Sequence, residues 1–277
     1  MKRLNQINHF FQKPQMRNAL LTTFANGIAT AAKFGSTLIS IPLLVNYFGS
    51  AAYGLIITIT TMCIWLTTIA DAGFGLALKN ELIKALAQGE DLIIIRRYMS
   101  TAFFVVSGMA GILCVIATLI SPFLPWDKIL NLQLSIPAAQ IISLIILLTW
   151  LTLFTIPLSL PRLILSAMQK EFLFSFWQFL GALLGLGLLY YLIHHHAGFV
   201  LTASALQIGS VIALLIGILF FIYAPPKLHF RWRLVDKKLI RRLFNNSFDF
   251  LILQFTALMI FQSDIFIVNY MMGQKSA

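Results

Sequence analysis

The run NALLTTFANGIATAAKFGSTLISIPLLVN, Asn18 to Asn46, decides how the rest of the chain is read. A helix of this length crosses the roughly 30 Å hydrocarbon core of a bilayer. Its polar residues are not scattered: Asn26, Thr30, Lys33, Thr37 and Ser40 come at intervals of four, three, four and three, which puts all five on one helical face. A lysine near the middle of a span costs about 2.5 to 3.5 kcal/mol on insertion scales if lipid surrounds it. The stripe therefore predicts that this face looks onto a wet cavity or a carboxylate. The competing reading is a helix-packing network with Asp71 of the next segment as counter-ion. A whole row of small polar groups beside one ammonium suits a solvated surface better than one buried pair.

The composition generalises this reading. Of 277 residues 59% are hydrophobic and 10% charged, with a mean hydropathy of +0.88, whereas a soluble domain carries roughly 25% charge. The apolar runs have the ~20 residues of spanning helices and lack the period-two alternation of barrel strands, so the fold class is all-α, a polytopic helical membrane protein. The net charge of +11 would suggest nucleic acid in a soluble protein. Here seventeen of the 20 Lys and Arg residues fall in loops on one side, Lys128 and Lys275 fall opposite, and Lys33 lies inside. This is the positive-inside pattern: the loaded side is cytoplasmic, the amino terminus is inside, and the basic loops set topology and attract anionic headgroups. It leaves no role for nucleic acid. Cys63 and Cys114 read as small packing residues, and the first apolar run is too long for a cleavable signal, so the first helix inserts the chain.

Taken in order, residues 1–17 form a basic cytoplasmic amino terminus and 18–223 a six-helix lobe. Residues 224–245 form a basic cytoplasmic linker, and 246–277 the first helix of a second lobe. About seven spans are expected, near 18–46, 51–78, 99–120, 138–158, 172–192, 200–223 and 246–272. Pro42 bends the first, and the second carries Thr58, Thr61, Trp65 and Thr68 toward Asp71. Asp71 reads either as a cap or ion pair at the inner membrane face or as a titratable group coupled to transport. Residues 79–98 resemble an interfacial helical connection, and Trp126 an interfacial anchor. The fourth span is expected to end before Pro161. Gly181 and Gly185, four apart, allow close helix approach. His194, His195 and His196 point about 100° apart on a helix and do not converge on a metal. The basic run from Lys227 to Arg242 has an amphipathic pattern suited to the membrane surface, or to a hinge. The last span, with Asp249, Gln254, Gln262, Asp264 and Asn269, is too polar to face lipid.

Val-Asn-Tyr with a Gly shortly after it occurs at Val45 to Gly49 and again at Val268 to Gly273, each at the outer end of an in-to-out helix. The offset of 223 residues matches one six-helix unit, as in a parallel repeat about an axis along the membrane normal. On this reading the chain is a truncated copy of a two-lobed protein.

At Phe48-Gly49, Tyr53-Gly54-Leu55, Trp65, Asp71 to Gly75 and Asn80 the sequence resembles the polysaccharide and O-antigen flippases of the multidrug/oligosaccharidyl-lipid/polysaccharide exporter superfamily. The resemblance implies two six-helix bundles around a central cavity, located in a bacterial inner membrane. It implies movement of undecaprenyl-pyrophosphate-linked glycan from the inner to the outer leaflet, with lipopolysaccharide or other polysaccharide assembly proteins and membrane lipids as partners. By the same resemblance Lys33 with Asn26, Thr30, Thr37 and Gln262 would hold the pyrophosphate or the glycan, and Asp71 and Asp264 would couple a proton or ion. The alternatives are a cation-coupled multidrug exporter of the same superfamily, a non-functional fragment, and a membrane glycan polymerase, for which the external loops are short. No cofactor is expected and no nucleophile triad, metal cluster or phosphate-cradling glycine loop marks an enzyme.

Overall fold

The computed structural model describes residues 14–89, 92–130, 136–223 and 230–272, with 14–16, 92, 127, 222–223, 258 and 261–272 as backbone only. The helices are α1 (Pro14–Phe48), α2 (Ser50–Asp71), α3 (Phe74–Ala87), α4 (Leu92–Ile120), the one-turn α5 (Trp126–Ile129), α6 (Ala138–Ala167), α7 (Phe172–His194), α8 (Phe199–Tyr223) and α9 (Lys237–Met272). No strand occurs among the described residues. Among the described residues six helices are long and apolar enough to cross a membrane, namely α1, α2, α4, α6, α7 and α8, so this is a multi-pass helical membrane protein. The expected seventh crossing falls on the 36-residue α9, whose side chains beyond Ile260 lie outside the described residues. Phe24, Phe34, Leu38, Ile112 and Leu119 point outward, as side chains facing lipid do.

Packing is set by residue size. At the α7–α8 contact a Cβ on Gly209 would stand 2.2 Å from the Gly185 nitrogen, and one on Gly181 3.2 Å from Ser210 Cα. Only backbone fits there, as the spacing of Gly181 and Gly185 anticipates. α1 lies across α7, where Ser36 donates to the Ala182 carbonyl at 3.1 Å and Ser175 to the Asn26 side chain.

The second span does not continue to residue 78. It stops at Asp71, Ala72 and Gly73 take left-handed conformations (φ 46° and 73°), and α3 starts afresh at Phe74. α9 runs over this break so closely that a Gly73 Cβ would meet Ser247 O at 2.4 Å and Leu251 N at 2.7 Å. The fourth span likewise passes through Pro157 and Pro161 to Ala167. Proline inside a spanning helix is tolerated where nearby hydroxyls and neighbouring helices satisfy the backbone. Here Thr155 and Ser159 bond back to the Thr152 and Ile156 carbonyls, each one residue before the Leu153 and Pro157 carbonyls that the two prolines free.

α9 begins nine residues before its apolar stretch, because the basic turns ahead of residue 246 are helical too. The segment leading into it is docked on the start of α4. The Arg231 and Asp236 N–H groups donate to the Ser100 and Thr101 hydroxyls, both at 3.1 Å, and Phe230 stacks on Phe103 at 4.4 Å. Glu81 of α3, only 3% exposed, holds Arg242 at 2.7 Å and accepts from Asn246 at 3.3 Å. Arg162 pairs with Glu171 at 2.6 Å across the α6–α7 turn.

Gly73→Ala should shift α9 and lower the thermal unfolding midpoint, since backbone on α9 blocks the Cβ and φ is positive; Gly108→Ala, which meets nothing within 4 Å, should leave it unchanged. Equal midpoints for the two variants would mean that α9 does not press on Gly73.

Burial pushes the Glu171 carboxyl up, but hydrogen bonds from Arg162 and Ser166 and the charges of Arg162 and Lys79 outweigh it, leaving its pKa below 4.5. A lowered carboxyl pKa stabilises the fold above the unfolded value, and that contribution is lost as pH falls through the folded value. Glu171→Gln should therefore flatten the acid side of the stability curve below about pH 4.5, read by unfolding midpoints across pH.

Candidate functional site

The polar face of α1 opens onto a cavity of about 810 Å³ between α1, α2, α6, α8 and α9. α1 contributes Lys33, Ser36, Thr37 and Ser40; α2 contributes Thr60, Thr61, Thr67, Thr68 and Asp71; α6 contributes Thr152, Thr155 and Ser159. Gln207 and Ser210 of α8 and Gln254 of α9 complete the polar wall. The periods that bring these groups together are helical. On α6, 152, 155 and 159 are three and four apart, and on α2 the pairs 60/61 and 67/68 are seven apart.

Most of the hydroxyls already donate to their own helix. Thr37 bonds the Lys33 carbonyl at 3.0 Å, Thr60 the Ile56 carbonyl at 2.8 Å, Thr67 and Thr68 the Ile64 carbonyl at 2.7 and 3.2 Å, and Ser210 the Leu206 carbonyl at 3.0 Å. With the donor in use, each oxygen presents lone pairs. The wall is thus rich in acceptors, the complement of a ligand rich in O–H donors.

Lys33 makes no ion pair among the described residues. It lies fifteen residues from the Phe48 end of α1, roughly 22 Å along the axis, while Asp71 lies twenty-one residues from the Ser50 end of α2, roughly 31 Å. Both line the same cavity at different depths. Asp71 is instead held by the Gly75 N–H at 3.1 Å and by Gln254 Nε2 at 3.2 Å. The counter-ion reading of Asp71 is not what the geometry displays. Gln254 Oε1 is buried with no hydrogen-bond partner among the described residues, a free acceptor beside the carboxylate.

Of the sequence-predicted residues, Lys33, Thr37 and Asp71 meet at this cavity. Asn26 is engaged with Ser175 at the α1–α7 contact, and Thr30 does not line the cavity. The side chains of Gln262 and Asp264 lie outside the described residues. Sequence reasoning missed Thr152, Thr155, Ser159 and Gln207 as wall residues, while Gln254 lies on the span expected to line an interior. The three–four spacing on α6 was the available signal.

The opposite face of α2 borders a second pocket of about 650 Å³ with α4 and α6, walled by Ile59, Met62, Leu113, Ile116 and Ile145 among others. It carries no charged group among the described residues and its wall is mainly apolar, with Ser121 and Thr149 as its hydroxyls, which suits hydrocarbon.

The family model described as polysaccharide biosynthesis protein matches residues 16–277 of the chain. Neither a curated protein nor a solved structure matches it.

In a background with Cys63 and Cys114 replaced by Ala, Thr152→Cys should react with a charged, water-soluble thiol reagent, and Leu153→Cys, fully buried, should not. Failure of Thr152→Cys to label would mean that the cavity is dry.

Proposed function

Because the chain belongs to the polysaccharide biosynthesis protein family, we propose that it moves a lipid-linked oligosaccharide, an undecaprenyl-pyrophosphate glycan, from the inner to the outer leaflet of a bacterial inner membrane. The observation that carries this reading is Lys33, a mid-span ammonium with no ion pair among the described residues, in a cavity walled by hydroxyls. An ammonium in a low-dielectric setting attracts a phosphate anion strongly, and acceptor-rich walls suit sugar hydroxyls. The basic end of the bundle, where Lys79, Arg97, Arg162 and Arg242 gather, is then cytoplasmic by the positive-inside rule.

In this scheme the substrate enters from the basic end, its phosphate is drawn to Lys33, and its sugars exchange water for the Thr and Ser wall. Transport requires the cavity to open alternately to the two sides, and Asp71 is the first candidate for coupling. It touches the cavity, the start of α3 and Gln254 of α9 at once, so a proton or cation there changes what holds α9. Asp264 is the further coupling candidate by sequence position. A cation-coupled drug exporter is less well served, because the wall sets Lys33 among many hydroxyls with Asp71 as its one carboxylate and Tyr53 as its one aromatic ring, where such a substrate favours acidic and aromatic groups.

Lys33→Ala should lower surface glycan in a flippase-deficient strain carrying this chain by roughly tenfold or more at matched membrane abundance, and Lys33→Arg should retain most of it. Equal export by wild type and Lys33→Ala would remove Lys33 from the site.

A further inference from the structure

Away from the cavity, at the basic end, the first turns of α9 form a cleft of about 330 Å³ lined by Lys238, Arg241, Arg242, Asn245 and Asn246. The residues fall at helical intervals of three and four, so they share one side of α9. All five side chains are exposed, yet two of them are held in place. Arg242 is fixed from behind by Glu81 at 2.7 Å and by the Tyr98 hydroxyl at 3.5 Å, and Asn246 is fixed by Glu81 at 3.3 Å. Lys238 and Arg241 make no ion pair among the described residues. The nearby carboxylates are occupied or absent from the cleft. Glu81 is taken by Arg242 and Lys84, Asp236 by Arg97 and the Lys238 N–H, and Asp249, one turn on, does not line it.

We propose that this cleft binds a phosphate group, with Arg241 and Lys238 supplying charge, Arg242 and Asn246 held in place by Glu81, and the asparagine amides adding neutral donors. Guanidinium donors match phosphate oxygens in a bidentate fork, amides add neutral donors, and three cations against one carboxylate favour an anion of charge near −2. Topology determination alone calls for Lys and Arg on this side but not for a concave set with one arginine held in place. The cleft's chemistry is independent of the transport reading. The phosphate comes either from the headgroup of an anionic membrane lipid or from a free phosphate anion.

The test uses the full chain purified in a neutral detergent and in phosphatidylcholine nanodiscs, titrated with phosphatidic acid and, separately, with inorganic diphosphate. Wild type should bind, and the double variant Lys238→Gln, Arg241→Gln should bind at least about tenfold more weakly with an unchanged ligand-free unfolding midpoint. The charge-matched pair Arg231→Gln, Arg233→Gln, outside the cleft, should bind within about twofold of wild type. Binding of both ligands with mutual competition supports a site for the phosphate group itself; binding of phosphatidic acid alone supports a headgroup site. Equal losses in the two double variants, or no binding of either ligand by wild type, would overturn the proposal.

Discussion

A charged amine cannot rest in hydrocarbon without water or a partner, and that constraint organises this molecule. Lys33 sits near the middle of α1, so the face carrying it must turn inward, and the remaining helices must meet it with something other than lipid-like side chains. They do so with hydroxyls. Threonine and serine suit the task because each can satisfy its own donor on the backbone one turn back, which makes an exposed hydroxyl tolerable on a spanning helix even when the cavity holds no ligand. The same residues therefore reconcile insertion with a polar cavity wall. α2 shows the division most plainly, with Thr60, Thr67 and Asp71 on the cavity side and Ile59, Met62 and Cys63 on the apolar side.

The second organising feature is the break between α2 and α3. A non-glycine residue in the left-handed region costs on the order of 1 kcal/mol, and Ala72 adopts it with φ 46°. The compensation is local and specific. Asp71 accepts the Gly75 N–H in the first turn of α3, where a carboxylate is favoured by the helix dipole, and the turn brings Gly73 against the α9 backbone. Trp65 and Phe74 then pack edge-on against Phe255 and Phe244 of α9, on either side of the break. An element read from sequence as the tail of a helix is in fact the seat for the next long segment.

Periodicity and hydropathy made four features legible in the sequence: the helical membrane class, the six apolar spans, the inward face of α1 and the close α7–α8 contact. The same signals misled where a local choice depends on a partner far away in the chain. The run from Asp71 to Leu78 is apolar enough to continue α2, and only the approach of α9 requires the left-handed turn at Ala72 and Gly73. Pro161 reads as a stop because proline disfavours a helix interior, and the pattern cannot indicate that the packed neighbours will keep the segment helical to Ala167. Asn26 belongs to the same stripe as Lys33, yet α7 passes near enough for Ser175 to claim it. Stripe membership fixes direction around a helix and says nothing of what stands opposite at each depth.

The two places where α9 is held differ in kind. At the basic end Glu81 is 3% exposed and Arg242 half-exposed; stripping a buried carboxylate of its partner costs about 3 to 5 kcal/mol when both charges are buried, and less here because water reaches the arginine. At the cavity, Asp71 is held to α9 by one amide donor at 3.2 Å, a bond that water or a ligand hydroxyl replaces at little cost. Gln254 also keeps an unused acceptor at that point. The contact nearest the ligand-accessible space is thus the one most easily exchanged, and the contact farthest from it is the firmer anchor.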